Sequence, residues 1–377
     1  MTAPLDPLFD QTRLVAVVGT GGVGKTTTSA ALALRAAVAG RRVLVLTIDP
    51  ARRLANAMGI EALGNEPQRV DLSGLDAAGQ LDAMMLDATA SFDALIRRTA
   101  GDRASSILDN RVYRVMADHF AGVQEYMALD RLYDLRQSGD WDLVVLDTPP
   151  AQNAADFFTA PQRVSSLFDE RIMRWFVPGA SDGNLLQRVF NPGAVVLKLL
   201  AMIGGQQFID ELAEFFEAIR IVRAAFKERG DAVQGILRDP GTRYVIVASP
   251  DPRRVLEALT FHQRMGEMNL EVARFVLNRS HHRFRPDDTD TLLPAVDRIA
   301  SGTVDGVDAG LVARARDAGQ RVTAFYRELV HLAERDRAGV AQLTARVSHD
   351  RVRLVPVFGR DIHTLAELLQ LARFVVA

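Results

Sequence analysis

The residues best able to do chemistry form one glycine-rich segment near the amino end of the chain. Residues 19–27 read Gly-Thr-Gly-Gly-Val-Gly-Lys-Thr-Thr and fit the pattern G-x-x-x-x-G-K-S/T. In this pattern backbone N–H groups cradle phosphates, the lysine reaches the β- and γ-phosphates, and the next hydroxyl residue binds Mg²⁺. The segment predicts a nucleotide site in which Lys25 neutralises phosphate charge and Thr26 holds the metal ion. The residues expected around the phosphates are Gly21, Gly22, Val23, Gly24, Lys25, Thr26 and Thr27.

The elements on either side of this segment fit the same chemistry. Residues 14–18 read as a short buried strand that leads into the glycine loop, and residues 27–38 read as the helix that leaves it. A helix N-terminus presents free N–H groups and the positive end of the helix dipole. The loop and the helix together therefore predict a binding site for an anion.

Short β-branched runs alternate with helical patterns along the rest of the chain. The further strand candidates are residues 43–48, 81–86, 143–146, 244–248, 274–277 and 353–357. This alternation predicts a mostly parallel sheet with helices on both faces. The predicted fold class is α/β, a P-loop NTPase with a doubly wound sheet and an inserted α-helical subdomain.

The long interval between two of these strand candidates predicts the insertion. Its helical periodicity includes residues 206–229, and no strand pattern interrupts it. We expect a discontinuous nucleotide-binding domain of residues 1–155 and 241–377, with a helical insertion at 156–240. The apolar stretch 192–205 has two interpretations, a core helix or a surface that binds a client or partner.

Two aspartates follow apolar strands at the edge of the sheet where the glycine loop lies. Asp147 ends the run Trp-Asp-Leu-Val-Val-Leu-Asp, the arrangement in which a strand-tip carboxylate holds Mg²⁺ through its water shell. Asp49 follows the second strand and could orient the water that attacks the γ-phosphate. It could equally cap the helix predicted after it, because Pro50 and Ala51 follow.

Composition narrows the class of protein. The chain has 377 residues, a formal net charge of −2 and no cysteine. Thiolate metal sites, iron–sulfur clusters and cysteine nucleophiles are therefore excluded, and the charge gives no general attraction to nucleic acid. No segment reaches the roughly 20 apolar residues that span a bilayer, and no basic region precedes an apolar core at the amino end. We expect a cytoplasmic protein that binds no nucleic acid and has no transmembrane segment.

The motifs and their order resemble the ArsA family of ATPases. Besides the glycine loop, they are Thr-Ile-Asp-Pro-Ala-Arg-Arg-Leu at 47–54, Leu-Asp-Thr-Pro-Pro at 146–150 and Val-Leu-Asn-Arg at 276–279. Within that family, the chain resembles bacterial ArsA-like proteins in particular. That family includes arsenite-pump ATPases and the targeting factors for tail-anchored membrane proteins. The resemblance implies that Asp49 is the catalytic carboxylate of the first switch loop, that Asp147 lies in the second switch, and that Asn278 reads the adenine edge.

The same resemblance implies a function. The chain would bind ATP and Mg²⁺, hydrolyse ATP as a dimeric switch, and couple nucleotide state to a hydrophobic or membrane-associated client. It would form a homodimer or a heterodimer with a related ATPase, and a partner could hold it at a membrane. The helical insertion falls where the family places its client-binding subdomain.

Three departures from the family pattern affect this reading. The related loops carry a lysine at the second position, which reaches the phosphates of the partner subunit, whereas this chain has Thr20. The second switch continues with Ala151-Gln152-Asn153 where the targeting factors have Thr-Gly-His. Arsenite-binding thiolates and a cysteine zinc site are impossible without cysteine. The first departure supports an alternative, a hydrolysis-poor regulatory subunit paired with a lysine-bearing paralogue.

Two further features each have a structural and a functional interpretation. His281 and His282 are adjacent, which is more typical of a solvated loop than of a metal site. The last helix, predicted at residues 364–377, carries one arginine and one glutamate. That composition favours docking onto the domain over binding to a membrane surface.

Overall fold

A computed structural model describes the following parts of the chain. The described residues are 6–48, 53–114, 123–148, 157–161, 205, 211–212, 214–215, 226–282, 298 and 309–376.

The described residues contain one eight-stranded sheet. Its strands are β1 (Leu14–Val18), β2 (Arg42–Thr47), β3 (Gln68–Arg69), β4 (Gln80–Met85), β5 (Leu143–Asp147), β6 (Thr242–Ala248), β7 (Val272–Ser280) and β8 (Val352–Pro356). They lie in the order β3-β4-β2-β5-β1-β6-β7-β8. Every neighbouring pair is parallel except β3 and β4, which are antiparallel.

The order of the strands makes β1 the place where the winding of the sheet reverses. From β1 the chain crosses β5 to reach β2, whereas β6 lies on the other side of β1 and leads away to β7. Ligands of open α/β sheets bind at the carboxyl ends of the strands where the winding reverses in this way. The glycine loop follows β1 at this point.

Eight α-helices with defined ends accompany this sheet in the described part of the chain. They are α1 (Lys25–Val38), α2 (Arg53–Met58), α3 (Ala88–Ala100), α4 (Ala104–Asp109), α5 (Val123–Ser138), α6 (Pro252–Glu267), α7 (Ala309–Thr344) and α8 (Leu365–Val375). Three short 3-10 helices occupy Pro7–Phe9, Gly101–Arg103 and His349–Arg351. Residues 157–161 and 226–237 are also helical.

The strands separate two apolar cores. Along β1, Val15 and Val17 join the core that contains residues of α1, α2 and α8, while Leu14 and Val18 join the core on the opposite face. Side chains alternate between the two faces of a strand, and here both faces are covered by helices. This explains why the central strands are continuous apolar runs.

The last helix docks onto the first. Thr364 caps α8 in a capping box with Glu367, and α8 packs against α1. Its apolar face includes Leu368 and Leu371, which are 0% and 2% exposed. The predicted docking of this helix is confirmed.

The predicted α/β class is confirmed, and each predicted strand is present with ends shifted by at most three residues. The helix after the glycine loop begins at Lys25, two residues earlier than predicted. The two-residue strand β3 was not predicted, because it is too short to show a period. The boundaries of the helical insertion at 156–240 stay a prediction, and most of it lies outside the described residues.

Candidate functional site

The glycine loop runs from the end of β1 to the start of α1 and passes close under β6. Gly19 has a φ of 149°, and a Cβ atom there would lie 2.1 Å from the carbonyl oxygen of Val247. Any other residue would collide with the backbone of β6. Glycine is therefore required at this position by packing as well as by conformation.

The outer side of the loop is open. Gly21 and Gly22 are exposed, and a Cβ atom on Gly22 would meet nothing within 4 Å. Gly24 stands at the N-cap of α1 in the left-handed conformation, and no side chain in the described part of the chain caps that helix. An uncapped helix N-terminus that faces an open glycine loop suits an anion such as a phosphate chain.

The three polar residues after Gly24 begin α1. The Lys25 ammonium donates a hydrogen bond to the carbonyl oxygen of Thr20 at 3.2 Å, and Lys25 is 7% exposed. The lysine therefore lies along the loop that it is predicted to serve. Thr26 and Thr27 are partly exposed on the first turn of the helix.

Asp147 lies under the first turns of α1, at the end of β5. It is 0% exposed and accepts hydrogen bonds from Thr47 Oγ1 at 2.9 Å and from Ser29 Oγ at 3.4 Å. Thr47 and Asp147 are directly opposite each other in the β2–β5 register. The carboxylate is thus held by hydroxyls from a neighbouring strand and from α1, on the inner side of the loop.

Ser29 and Thr47 are site residues that sequence reasoning missed. Thr47 ends the strand that precedes Asp49, and Ser29 lies one helical turn after Lys25, to whose carbonyl oxygen it also donates a hydrogen bond at 3.0 Å. The i and i+4 spacing of Lys25 and Ser29 was a usable signal. The position of Thr47 beside Asp147 could be seen only once the strand order was known.

Asn278 approaches the glycine loop from the side opposite Asp147. It lies in β7, is 9% exposed, and its Nδ2 donates a hydrogen bond to the carbonyl oxygen of Val23 at 2.8 Å. Its Oδ1 accepts a hydrogen bond from the backbone N–H of Arg279 at 3.0 Å. The structure therefore brings the predicted adenine-reading residue into direct contact with the predicted phosphate-binding loop.

Asp49 is the sequence candidate that the structure does not place. It lies outside the described residues, so its two interpretations stay open. On the neighbouring strand, Asp87 follows β4 and caps α3, because its side chain accepts a hydrogen bond from the N–H of Ala90 at 2.9 Å.

His281 has a partner that the sequence does not reveal. Nδ1 of His281 lies 2.8 Å from Oδ2 of Asp336, a residue of α7 that is 2% exposed. Within the described residues, no group of three or more metal-ligating side chains is found. His281 therefore ties the end of β7 to the long helix α7.

The described part of the chain also contains no helix that is long and apolar enough to cross a bilayer.

The fold and the loop define the class of this protein. A doubly wound, mostly parallel sheet, a glycine loop between β1 and α1, and a strand-tip aspartate held beside that helix are the features of a P-loop NTPase.

Comparisons with known proteins place the chain within that class. The family ArsA_ATPase, described as anion-transporting ATPase, matches residues 12–290. The chain belongs to the ArsA ATPase family, and it is an ATPase.

Three individual relatives are similar to this chain, and two of them are named as ATPases. The chain is 27% identical over 292 residues to the ATPase GET3 of Phaeosphaeria nodorum, a match that covers 74% of this chain and 80% of that protein. It is 26% identical over 271 residues to the ATPase get3 of Aspergillus niger, covering 71% and 72%. It is 32% identical over 200 residues to Protein Rv2184c of Mycobacterium tuberculosis, covering 48% and 46%.

Proposed function

We propose that this ATPase binds Mg·ATP on the loop of residues 19–27 and acts as a nucleotide-dependent switch for a hydrophobic or membrane-associated client. The observation that carries the nucleotide part is the geometry of the loop. Its outer face is open at Gly22, whereas its inner face rests on Val247 and is held by Asn278. Such a loop offers backbone N–H groups to phosphates without a side chain in the way.

The chain supplies a separate group for each task in hydrolysis. Lys25 would stabilise negative charge on the β- and γ-phosphates, as lysines of such loops do. Thr26 would bind Mg²⁺ through its hydroxyl, and Asp147 would orient that ion through water, with Thr47 holding its carboxylate in place. A bound Mg²⁺ would neutralise charge on the same phosphates.

The attacking water needs a carboxylate, and Asp49 is the residue proposed for it. The resemblance to the ArsA family carries this assignment, because Asp49 lies outside the described residues. Asp49 follows β2, the strand that ends at Thr47 beside Asp147. Because Asp49 is only two residues after Thr47 in the sequence, this position supports the proposal that Asp49 lies near the same end of the sheet.

The client-binding part of the proposal rests on the insertion. Residues 156–240 contain the apolar stretch 192–205, and ATPases named GET3 are among the relatives. We propose that this insertion forms the client surface when two subunits associate. The subunit partner is a second copy of this chain or a related ATPase.

The nucleotide site can be tested by comparing substitutions of two lysines, one in the loop and one on the surface. Lys25→Ala should abolish measurable ATP binding by calorimetry and phosphate release from ATP, because the ammonium contacts phosphate. Lys227→Ala is the matched control, since Lys227 is exposed. Unchanged ATP affinity in Lys25→Ala would refute the assignment of the loop.

The hydrolysis step is tested by Asp49→Asn in the same assays. This variant should keep its affinity for Mg·ATP and slow single-turnover hydrolysis by about 10²-fold, the scale of a positioned acid–base group. Normal single-turnover hydrolysis would leave Asp49 with the helix-capping role only.

Thr20 supports a second candidate, a regulatory subunit that hydrolyses ATP poorly alone. Its side chain is a neutral hydroxyl, and its carbonyl oxygen accepts a hydrogen bond from Lys25. A homodimer would therefore lack the lysine that related subunits donate to each other. Slow turnover by the purified chain, raised by Thr20→Lys or by a lysine-bearing paralogue, would support this candidate, and brisk turnover unchanged by either would exclude it.

A further inference from the structure

One hydrogen bond joins the seventh strand of the sheet to the phosphate-binding loop. Nδ2 of Asn278 donates to the carbonyl oxygen of Val23 at 2.8 Å, across 255 residues of sequence. The amide also fills the space beside Gly24, because a Cβ atom there would lie 2.3 Å from Nδ2. Glycine is thus needed at position 24 for two reasons. It leaves room for Asn278, and it can adopt the φ of 95° that the backbone has at this position.

The end of β7 is shaped to aim this amide. Asn278 pairs with Val355 of β8, but the next pair is Ser280 with Pro356, so Arg279 is an extra residue in the ladder. Arg279 has a φ of 62°, a conformation that residues other than glycine rarely adopt. Its N–H donates to Oδ1 of Asn278 at 3.0 Å, which fixes the rotation of the amide and so directs Nδ2 to Val23. Bulges of this kind re-aim side chains at functional sites.

We propose that Asn278 is a positioning residue that holds the phosphate-binding loop through the carbonyl group of Val23, so that phosphate binding depends on it whatever base the nucleotide carries. The inference rests on the proposed function, in which this loop binds phosphates. It is compatible with a contact to adenine, because an amide nitrogen carries two hydrogens and the bond to Val23 uses one of them.

Asn278 would act by restraining the shape of the loop before any phosphate binds. The outer face of the loop is open at Gly22, so contacts on its inner face must fix its shape. Without the bond from Asn278, the Val23 carbonyl can rotate, and the N–H groups on either side of it then lose their common direction. A phosphate chain would have to restore that direction on binding, and the affinity falls accordingly.

The test uses inorganic tripolyphosphate, which has the phosphate chain and no base. Its Mg²⁺-dependent binding is measured by calorimetry for the wild-type chain, Asn278→Ala and Asn278→Asp. Both variants lose the donor to Val23, and the alanine variant does so without adding negative charge near the phosphates. We expect at least a tenfold loss of tripolyphosphate affinity in each. Asn269→Asp, an exposed change in the turn between α6 and β7, should leave it unchanged.

The base is tested separately by comparing ATP with GTP. If Asn278 served only to read adenine, its variants would bind tripolyphosphate within twofold of wild type while ATP affinity fell, and the proposal would be overturned. Lys25→Ala distinguishes this outcome from failure of the proposed function. If that variant still binds tripolyphosphate, the loop is not the phosphate site at all.

Hydrogen exchange gives a second readout that needs no ligand. In the nucleotide-free chain, backbone N–H groups of residues 20–25 should exchange faster in Asn278→Ala than in wild type, whereas peptides from β1 should be unaffected. Thermal unfolding confirms that the variant is folded under the conditions used. Unchanged exchange of the loop would overturn the proposal even if tripolyphosphate binding proved too weak to measure.

Discussion

The two ends of the parallel strands are held by different chemistry. The end where the strands finish is called the carboxyl edge. At the end of the sheet where the strands begin, here called the amino edge, long arginine side chains join distant segments. Arg41 is the clearest case, because its guanidinium donates to the carbonyl oxygens of Phe9 at 2.9 Å and of Thr12 and Asp142 at 2.6 Å. The guanidinium of Arg41 thus joins three segments of the chain, namely its own, the segment of Phe9 and Thr12, and the segment of Asp142. This group is planar and permanently charged.

A second arginine at the amino edge forms a buried ion pair. Arg274 of β7 makes a two-pronged contact with Asp6, with nitrogen–oxygen distances of 2.8 and 3.1 Å, and donates to the carbonyl oxygen of Val375 at 2.8 Å. The side chains of Arg274 and Asp6 are 6% and 0% exposed. This pair ties Asp6, the residue before the first 3-10 helix, to β7 and to the end of α8.

At the carboxyl edge the contacts come from short side chains. Asp147 is held by the hydroxyls of Thr47 and Ser29, and the amide of Asn278 holds Val23. These contacts join residues of the site to one another and leave the outer face of the loop open. The contacts at the amino edge therefore stabilise the fold, whereas those at the carboxyl edge also set the shape of the site.

The largest expected effect comes from breaking the buried pair at the amino edge. Asp6→Ala leaves the guanidinium of Arg274 buried without its carboxylate, a change that costs about 3–5 kcal/mol in the free energy of unfolding. We expect this loss in urea unfolding, and kcat/KM for ATP should be unchanged under conditions where the variant is fully folded.

Asp10→Ala is the matched control, because Asp10 is exposed. It should change the free energy of unfolding by less than about 0.5 kcal/mol. If Asp6→Ala lowered kcat/KM of the folded enzyme, the division of tasks between the two edges would be wrong.

A change at the carboxyl edge should affect activity and stability together. Thr47→Val removes the hydroxyl that donates to Asp147 and keeps the shape of the side chain. Loss of a hydrogen bond to a charged group costs about 1.5–3 kcal/mol in the free energy of unfolding. A less firmly held carboxylate should also raise the Mg²⁺ concentration for half-maximal ATPase activity by about tenfold. Thr47→Ser keeps the hydroxyl and should behave as wild type, so an equal Mg²⁺ requirement in both variants would speak against the role of Asp147.

The sequence predicts the parts of the molecule in which residue type is restricted by chemistry or period. The glycine loop can be predicted from the sequence because only glycine tolerates the close approach to Val247. Strand β1 can be predicted because both of its faces are buried and its residues are all apolar. Helix α8 can be predicted because its apolar residues repeat with the helical period.

The rest depends on which segments meet in space. The partner of Arg274 lies 268 residues away, and arginine–aspartate pairs are too common for a sequence to single one out. Thr47 faces Asp147 only because β2 and β5 are neighbours in the sheet, although they are not consecutive strands. The contact between Asn278 and Val23 likewise requires the bulge at Arg279, which no local pattern indicates.

The smallest expected effect separates buried from exposed charge within the amino edge. Arg42 and Asp142 form an ion pair at 2.7 Å, but their side chains are 49% and 39% exposed. Hydrogen bonds from the side chain and the backbone N–H of Arg42 lower the pKa of Asp142 below its ordinary value.

A carboxyl group whose pKa is lowered by folding stabilises the folded state above its ordinary pKa, and this contribution is lost as the pH falls through the lowered value. At neutral pH, Asp142→Asn should therefore reduce the free energy of unfolding, but by less than about 1 kcal/mol because solvent screens an exposed pair. The difference from wild type should shrink in high salt and disappear in strong acid, as measured by urea unfolding at several pH values. A loss as large as that of Asp6→Ala would mean that charge at this edge acts independently of burial, and the contrast between its two ion pairs would fail.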